Sequence, residues 1–194
     1  MKITGIKNLL ERRCYHALLF FSVLMVLPFR IQASGDEYKK AQLTAAFIYQ
    51  ITKFTQWPTV FFGASNPTFS ICLLGKKEEQ LYQSLGALET KMAQGHVIEV
   101  IHIQNKQQLF NRSGNNCEVL YSTSQEWQIL SKEEIARLTQ TTLLIGGSKS
   151  FLKKGGMLAL VTVNNKLKIF INPKNVANTP IKLESRLKAL AKSI

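Results

Sequence analysis

Two cysteines, two histidines and a few carboxylates are the side chains in the body of this sequence that could do chemistry. Cys72 and Cys117 form an even pair 45 residues apart, while Cys14 belongs to a leader considered below. In an oxidising compartment such a pair is either a disulfide or two buried thiols, and the residues alone leave both open. A bond closing that loop would stabilise by about 4 kcal/mol in the loop-entropy picture. His96 precedes an expected strand and His102 lies within it. A metal centre needs clustered ligands in a defined geometry, and no His or Cys pair has such spacing. No G-x-S-x-G elbow occurs to expose a serine nucleophile. The run Gly146-Gly147-Ser148-Lys149-Ser150 resembles a phosphate loop but lacks the first glycine at Walker A spacing. A turn leaving a strand accounts for those glycines. Glu78-Glu79 and Glu133-Glu134 fall in helix first turns, where negative charge complements the dipole. The expectation is no catalytic residue, no metal site and no cofactor.

The elements that must position these residues are clearest at the C-terminal end. Met157 to Val163 and Lys166 to Ile171 read as strands joined by Asn164-Asn165, residues that tolerate positive φ in a two-residue hairpin. Asn172-Pro173 ends the second strand, and a short polar connection follows. Thr179-Pro180 predicts an N-cap with proline at the first helical position. Leu183, Leu187, Leu190 and Ile194 then recur at helical spacing as a closing helix.

At the other end, Lys2, Lys7, Arg12 and Arg13 precede an apolar run from Ala17 to Phe29 and small residues at Ala33 and Gly35. This is the pattern of a cleaved signal peptide over residues 1–33. The run is shorter than the roughly 20 residues that span a bilayer, so the processed chain is not expected to span the membrane. The remaining residues, 34–194, form one domain. The whole chain carries +13; without residues 1–33 it keeps 20 basic against 11 acidic residues, or +9. The basic residues are scattered, and none interleaves with aromatics as single-strand binders require. No nucleic-acid partner is expected.

Asp36 to Phe54 predicts the first helix, with Leu43, Phe47, Ile51 and Phe54 as its apolar face and Trp57-Pro58 as its stop. Trp57, Phe61 and Phe62 beyond it are either core aromatics or a partner-docking patch. Strands at Phe69–Leu74, Val97–Ile103, Glu118–Tyr121 and Thr142–Ile145 then alternate with helical stretches at Glu78–Leu88 and after the capping-box pattern Ser131–Glu134. A polar stretch covers 106–116. This alternation predicts an α/β fold with a mainly parallel sheet flanked by helices on both faces. The C-terminal antiparallel hairpin and closing helix complete it.

From about Lys40 to its end the chain resembles the YfiR family. The matching pieces are Ala45-Ala46-Phe47-Ile48-Tyr49, Lys53-Phe54-Thr55-Gln56-Trp57-Pro58, Ile71-Cys72-Leu73-Leu74-Gly75 and Cys117-Glu118-Val119-Leu120-Tyr121. Phe151, Gly155-Gly156-Met157, Phe170-Ile171-Asn172 and Ser185-Arg186-Leu187 follow in the same order. The resemblance implies a periplasmic, non-catalytic α/β protein that acts by binding. Its members restrain an inner-membrane diguanylate cyclase through the cyclase's periplasmic sensor region, often as homodimers, and related proteins accompany sensor kinases. It also implies a Cys72–Cys117 disulfide. Where the family usually has histidine after the second cysteine, this chain has Glu118. A small-molecule binding protein is the competing reading, with a pocket formed by the loops after Leu74, Tyr121 and Ile145.

Overall fold

In the computed structural model, described over residues 33–62, 67–111, 117–123 and 126–194, the strand Thr68–Leu74 (β2) is the hub. Every residue from Phe69 to Leu74 is buried, as expected of a strand with neighbours on both edges and layers on both faces. His96–Ile103 (β4) and Val119–Ser122 (β5) pair with it in parallel, and Leu143–Gly146 (β6) pairs in parallel with β5. Leu158–Val163 (β7) continues the parallel set, and Lys166–Ile171 (β8) returns antiparallel to it. Two-residue strands, Met92–Ala93 (β3) and Lys192–Ser193 (β10), finish the edges. The sheet runs β3-β4-β2-β5-β6-β7-β8-β10.

Alternation along β2 divides the core. Phe69, Ile71 and Leu73 face one side, together with the helices Ala33–Lys53 (α1) and Glu79–Gly86 (α2). Cys72 and Leu74 face the other, with Lys106–Phe110 (α3), Lys132–Leu138 (α4) and Lys149–Lys154 (α5). The expected α/β architecture, mainly parallel and flanked on both faces, is therefore the one observed. The Asn164-Asn165 turn has φ of 50° and 57°, the type I′ conformation that suits the strand twist. At Ser131 the hydroxyl accepts from the Glu134 amide at 3.2 Å while the Glu134 carboxylate accepts from the Ser131 amide at 2.8 Å. The capping box is complete.

Other expectations need correction. Helix α1 turns a different face to the sheet: Ala41, Ala45, Ile48 and Ile51 are buried, whereas Leu43 is 50% exposed. Small side chains allow close approach, which outweighs the larger hydrophobic stripe. The helix stops at Lys53, before Trp57-Pro58 is reached, and Thr55–Gln56 (β1) follows. The polar stretch after β4 holds α3, capped by Asn105, whose side chain accepts from the Gln108 amide at 2.9 Å. After β8 the chain forms a helix, Pro173–Ala177 (α6), in place of a loop; Asn172 caps it by accepting from the Lys174 amide at 3.1 Å.

The closing helix is the largest revision. Lys182–Leu183 (β9) pairs antiparallel with β1, and only Ser185–Leu190 (α7) is helical. Ile181 and Leu183 are buried with Lys182 exposed between them, the alternation of a strand. Thr179 does not cap a helix: its hydroxyl donates to the carbonyls of Val176 and Ile181 at 3.0 and 3.3 Å. Leu190 is 71% exposed, and β10 after it joins the sheet. The expected signal peptide lies outside the described residues, apart from Ala33, the first residue of α1. Among the described residues no helix is long and apolar enough to cross a membrane.

Candidate functional site

The Cys72 and Cys117 sulfurs are bonded, with Cα atoms 5.7 Å apart. β2 carries Cys72 on the face shared with Leu120, Trp127 and Ile135, and Cys117 stands just before β5. Pairing of β2 with β5 begins only at Ile71 and Val119, so the Ser70 amide has no strand carbonyl on that side. The Glu118 carboxylate supplies the acceptor at 2.6 Å. Glu118 is 1% exposed, and its own carbonyl accepts from the Leu143 amide at 2.8 Å. This acid therefore serves the sheet.

The two histidines are occupied as well. His102 Nε2 donates to the Gly75 carbonyl at 2.7 Å, and Gly75 has a φ of 103° that favours glycine. His96 stacks on Phe62 with ring centroids 4.9 Å apart. The glycines after β6 serve packing. A Cβ on Gly146 or Gly156 would run into the Phe151 ring, so that ring sits on two bare backbones. Tyr121 is buried, and its phenol is pushed above the ordinary range by that burial first and by the Glu78 carboxylate second. Among the described residues no three of His, Cys, Asp or Glu converge as metal ligands.

The aromatic segment after α1 packs onto the sheet. Trp57 is 7% exposed, edge-on to Phe69 at 5.1 Å, and its Nε1 is buried without a hydrogen-bond partner among the described residues. Phe61 and Phe62 are half-buried against the same core. Only these two of the three offer a partner any surface.

A groove of about 800 Å³ lies elsewhere, between the end of β8, α6, β9 and α7. Its apolar floor includes Ile171, Val176, Ile181 and Leu183, and its rim carries Lys182, Arg186 and Lys188 with one acid, Glu184. Gln56 reaches it because β1 is bonded to β9, and the Phe54 carbonyl accepts from the Glu184 amide at 2.9 Å. The loops after Leu74, Tyr121 and Ile145 contribute no lining residue. The groove's wall is the strand-to-helix break at Glu184, where one continuous helix over 179–194 was expected. The period-2 order of Ile181, Lys182 and Leu183 was the available signal. An apolar floor with a cationic rim can bind an amphipathic group.

Fold and groove together define the class: a disulfide-bonded, mainly parallel α/β domain closed by a C-terminal hairpin and a short helix. A family model described as YfiR/HmsC-like matches residues 41–192, and the chain belongs to that family. At the level of the family this means a periplasmic regulator associated with diguanylate cyclase control. No curated protein matches the chain.

Proposed function

We propose that this protein is a non-catalytic periplasmic regulator that binds the periplasmic sensor region of an inner-membrane diguanylate cyclase and restrains it, lowering cyclic-di-GMP output. The observation that carries the reading is the family match over residues 41–192. The physical logic is population shift: a regulator with higher affinity for the partner's inactive state holds it there by that difference. In this reading the protein reaches the periplasm through a cleaved signal peptide and works as a homodimer. Phe61 and Phe62 meet the partner, while buried Trp57 and Phe62 both pack on Phe69. Cross-linking in intact native cells, with mass spectrometry of what is captured, tests it. A membrane protein bearing a cyclase domain, linked through one surface, is the expected result. Unchanged cyclic-di-GMP on deletion, with capture of this chain alone, would overturn it.

The groove favours a second reading, a periplasmic small-molecule binding protein or an accessory protein of a sensor kinase. A ligand seated between α6 and α7 would alter the β1–β9 pairing that leads to the aromatic segment. Capture of a kinase in place of a cyclase, with cyclic-di-GMP unaffected, selects this reading.

A further inference from the structure

We propose that the open face of the β7–β8 hairpin is a docking surface for an anionic phospholipid bilayer. Charge is unevenly distributed along the chain. Residues 34–142 hold ten basic and ten acidic side chains, whereas residues 143–194 hold ten basic and one acidic. The whole excess of the domain therefore belongs to residues 143–194, which build β6, β7, β8 and β10 together with α5, α6, β9 and α7. Among the described residues the ion pairs are Lys77–Glu79 and Lys106–Glu134, both in the balanced part. None of the ten basic side chains at the C-terminal end is neutralised in this way.

Strand register gathers three of these lysines on one face, and α5 adds a fourth. Lys166 and Lys168 alternate with Leu167 and Ile169, which pack toward the main core. They share their face with Phe170, and Lys192 of β10 is in register with Phe170. From above, the Lys149 ammonium sits 4.1 Å from the centre of the Phe170 ring. Opposite Lys168 and Lys166 in the ladder stand Val161 and Val163, both only partly buried. The result is a surface of two partly buried valines bordered by four lysines.

This composition fits lipid headgroups better than an acidic protein segment. All four charges are lysines, compact point charges on flexible stems, where recognition of a particular carboxylate calls for the planar fork of arginine. On this face the lysines lie beside apolar side chains, Val161, Val163 and the Phe170 ring. Many mobile anions with hydrocarbon beneath them match such an array. The inference does not depend on the regulator reading, since a bilayer-docked protein of any function would use the same face.

The test is co-sedimentation of the exported, processed protein with phosphatidylcholine vesicles with and without about 30 mol% phosphatidylglycerol. Binding is expected only with the anionic lipid, and is expected to fall steeply as salt rises from about 50 to about 300 mM. Each lysine near the surface is worth about a fivefold change in affinity. Lys166→Glu with Lys168→Glu should therefore weaken binding at least about twentyfold, whereas Lys166→Arg with Lys168→Arg preserves it. Lys76→Glu with Lys132→Glu, the same charge change on exposed sites in the balanced part, should retain most of it. Should the first pair fail to fold by circular dichroism, Lys149→Gln with Lys192→Gln replaces it, with a loss again expected. No vesicle binding at low salt overturns the proposal. So does an equal loss in the control pair, which would mean net charge alone, or binding to polyglutamate without binding to vesicles.

Discussion

The Glu118 carboxylate accepts the Ser70 amide proton at 2.6 Å, joining residues 48 apart at the level where β2 has no strand partner on that side. A buried amide deprived of its acceptor costs about 1–3 kcal/mol. Glu118→Ala should lower the free energy of unfolding by at least that range, because a cavity is added. Glu118→Gln keeps an acceptor oxygen and should lose less. Urea denaturation of both variants measures the difference, and equal losses would show that the carboxylate charge, and not the acceptor oxygen or the side-chain volume, is what matters.

The disulfide ties the same two strands. Closing a loop of 45 residues restricts the unfolded chain by about 4 kcal/mol in the entropic account. Cys72→Ser with Cys117→Ser should move the urea midpoint down accordingly. Reductant should move the parent protein to a similar midpoint and leave the variant unchanged.

Legibility in the sequence followed local chemistry. The Asn164-Asn165 turn, the Ser131–Glu134 capping box and the buried β2 each depend on residues within a few positions of one another, and each was readable. The face of α1 was not, because the sheet's demand for close approach favoured Ala41 and Ala45 over Leu43, and that demand is set by residues far along the chain. The groove was hidden for a similar reason. Leu183 fits a helical stripe with Leu187, yet its partner is Thr55 on β1, 128 positions earlier. Glu118 stood out as a departure from the family pattern, but its acceptor role needed the register of β2 against β5.

Phe151 depends on bare backbone at both Gly146 and Gly156. Gly146→Ala places a methyl group into that ring, and overpacking of a filled core costs about 1–3 kcal/mol. A lower melting temperature is expected for Gly146→Ala in a thermal scan. Adding Phe151→Leu should recover part of the loss by making room. Additive losses would mean that the glycine serves the backbone and not the ring.

Tyr121 gives the fold an alkaline limit. Its phenol is raised in the folded state, by burial and then by Glu78, so above about pH 10 the unfolded chain releases a proton that the folded chain retains. The contribution of neutral Tyr121 is fully present below that pH and declines as pH rises past it. Unfolding free energies measured at neutral pH and above pH 10 should therefore diverge. In Tyr121→Phe the alkaline decline should be shallower, and a parallel decline in both proteins would assign it to other groups.

Lys182 and Arg186 are exposed on the groove rim, on β9 and α7 respectively. Surface substitutions of this kind usually change stability by no more than about 0.5 kcal/mol, so a change in function can be separated from unfolding. If a partner segment or ligand uses the groove, Lys182→Glu with Arg186→Glu reverses two of its three cationic rim charges and should weaken that binding by at least about tenfold. In cells a cyclase segment seated in the groove would then be released, raising cyclic-di-GMP at normal protein levels and an unchanged melting temperature, whereas loss of a small ligand would leave cyclic-di-GMP unaffected. Phe61→Ala with Phe62→Ala removes the half-buried aromatic rim at the other proposed contact. Loss of cross-linking in the aromatic pair alone would assign the partner to that rim and leave the groove to a small ligand. Loss in the charge-reversed pair alone would seat the partner in the groove, where the substituted Lys182 and Arg186 stand over the apolar floor.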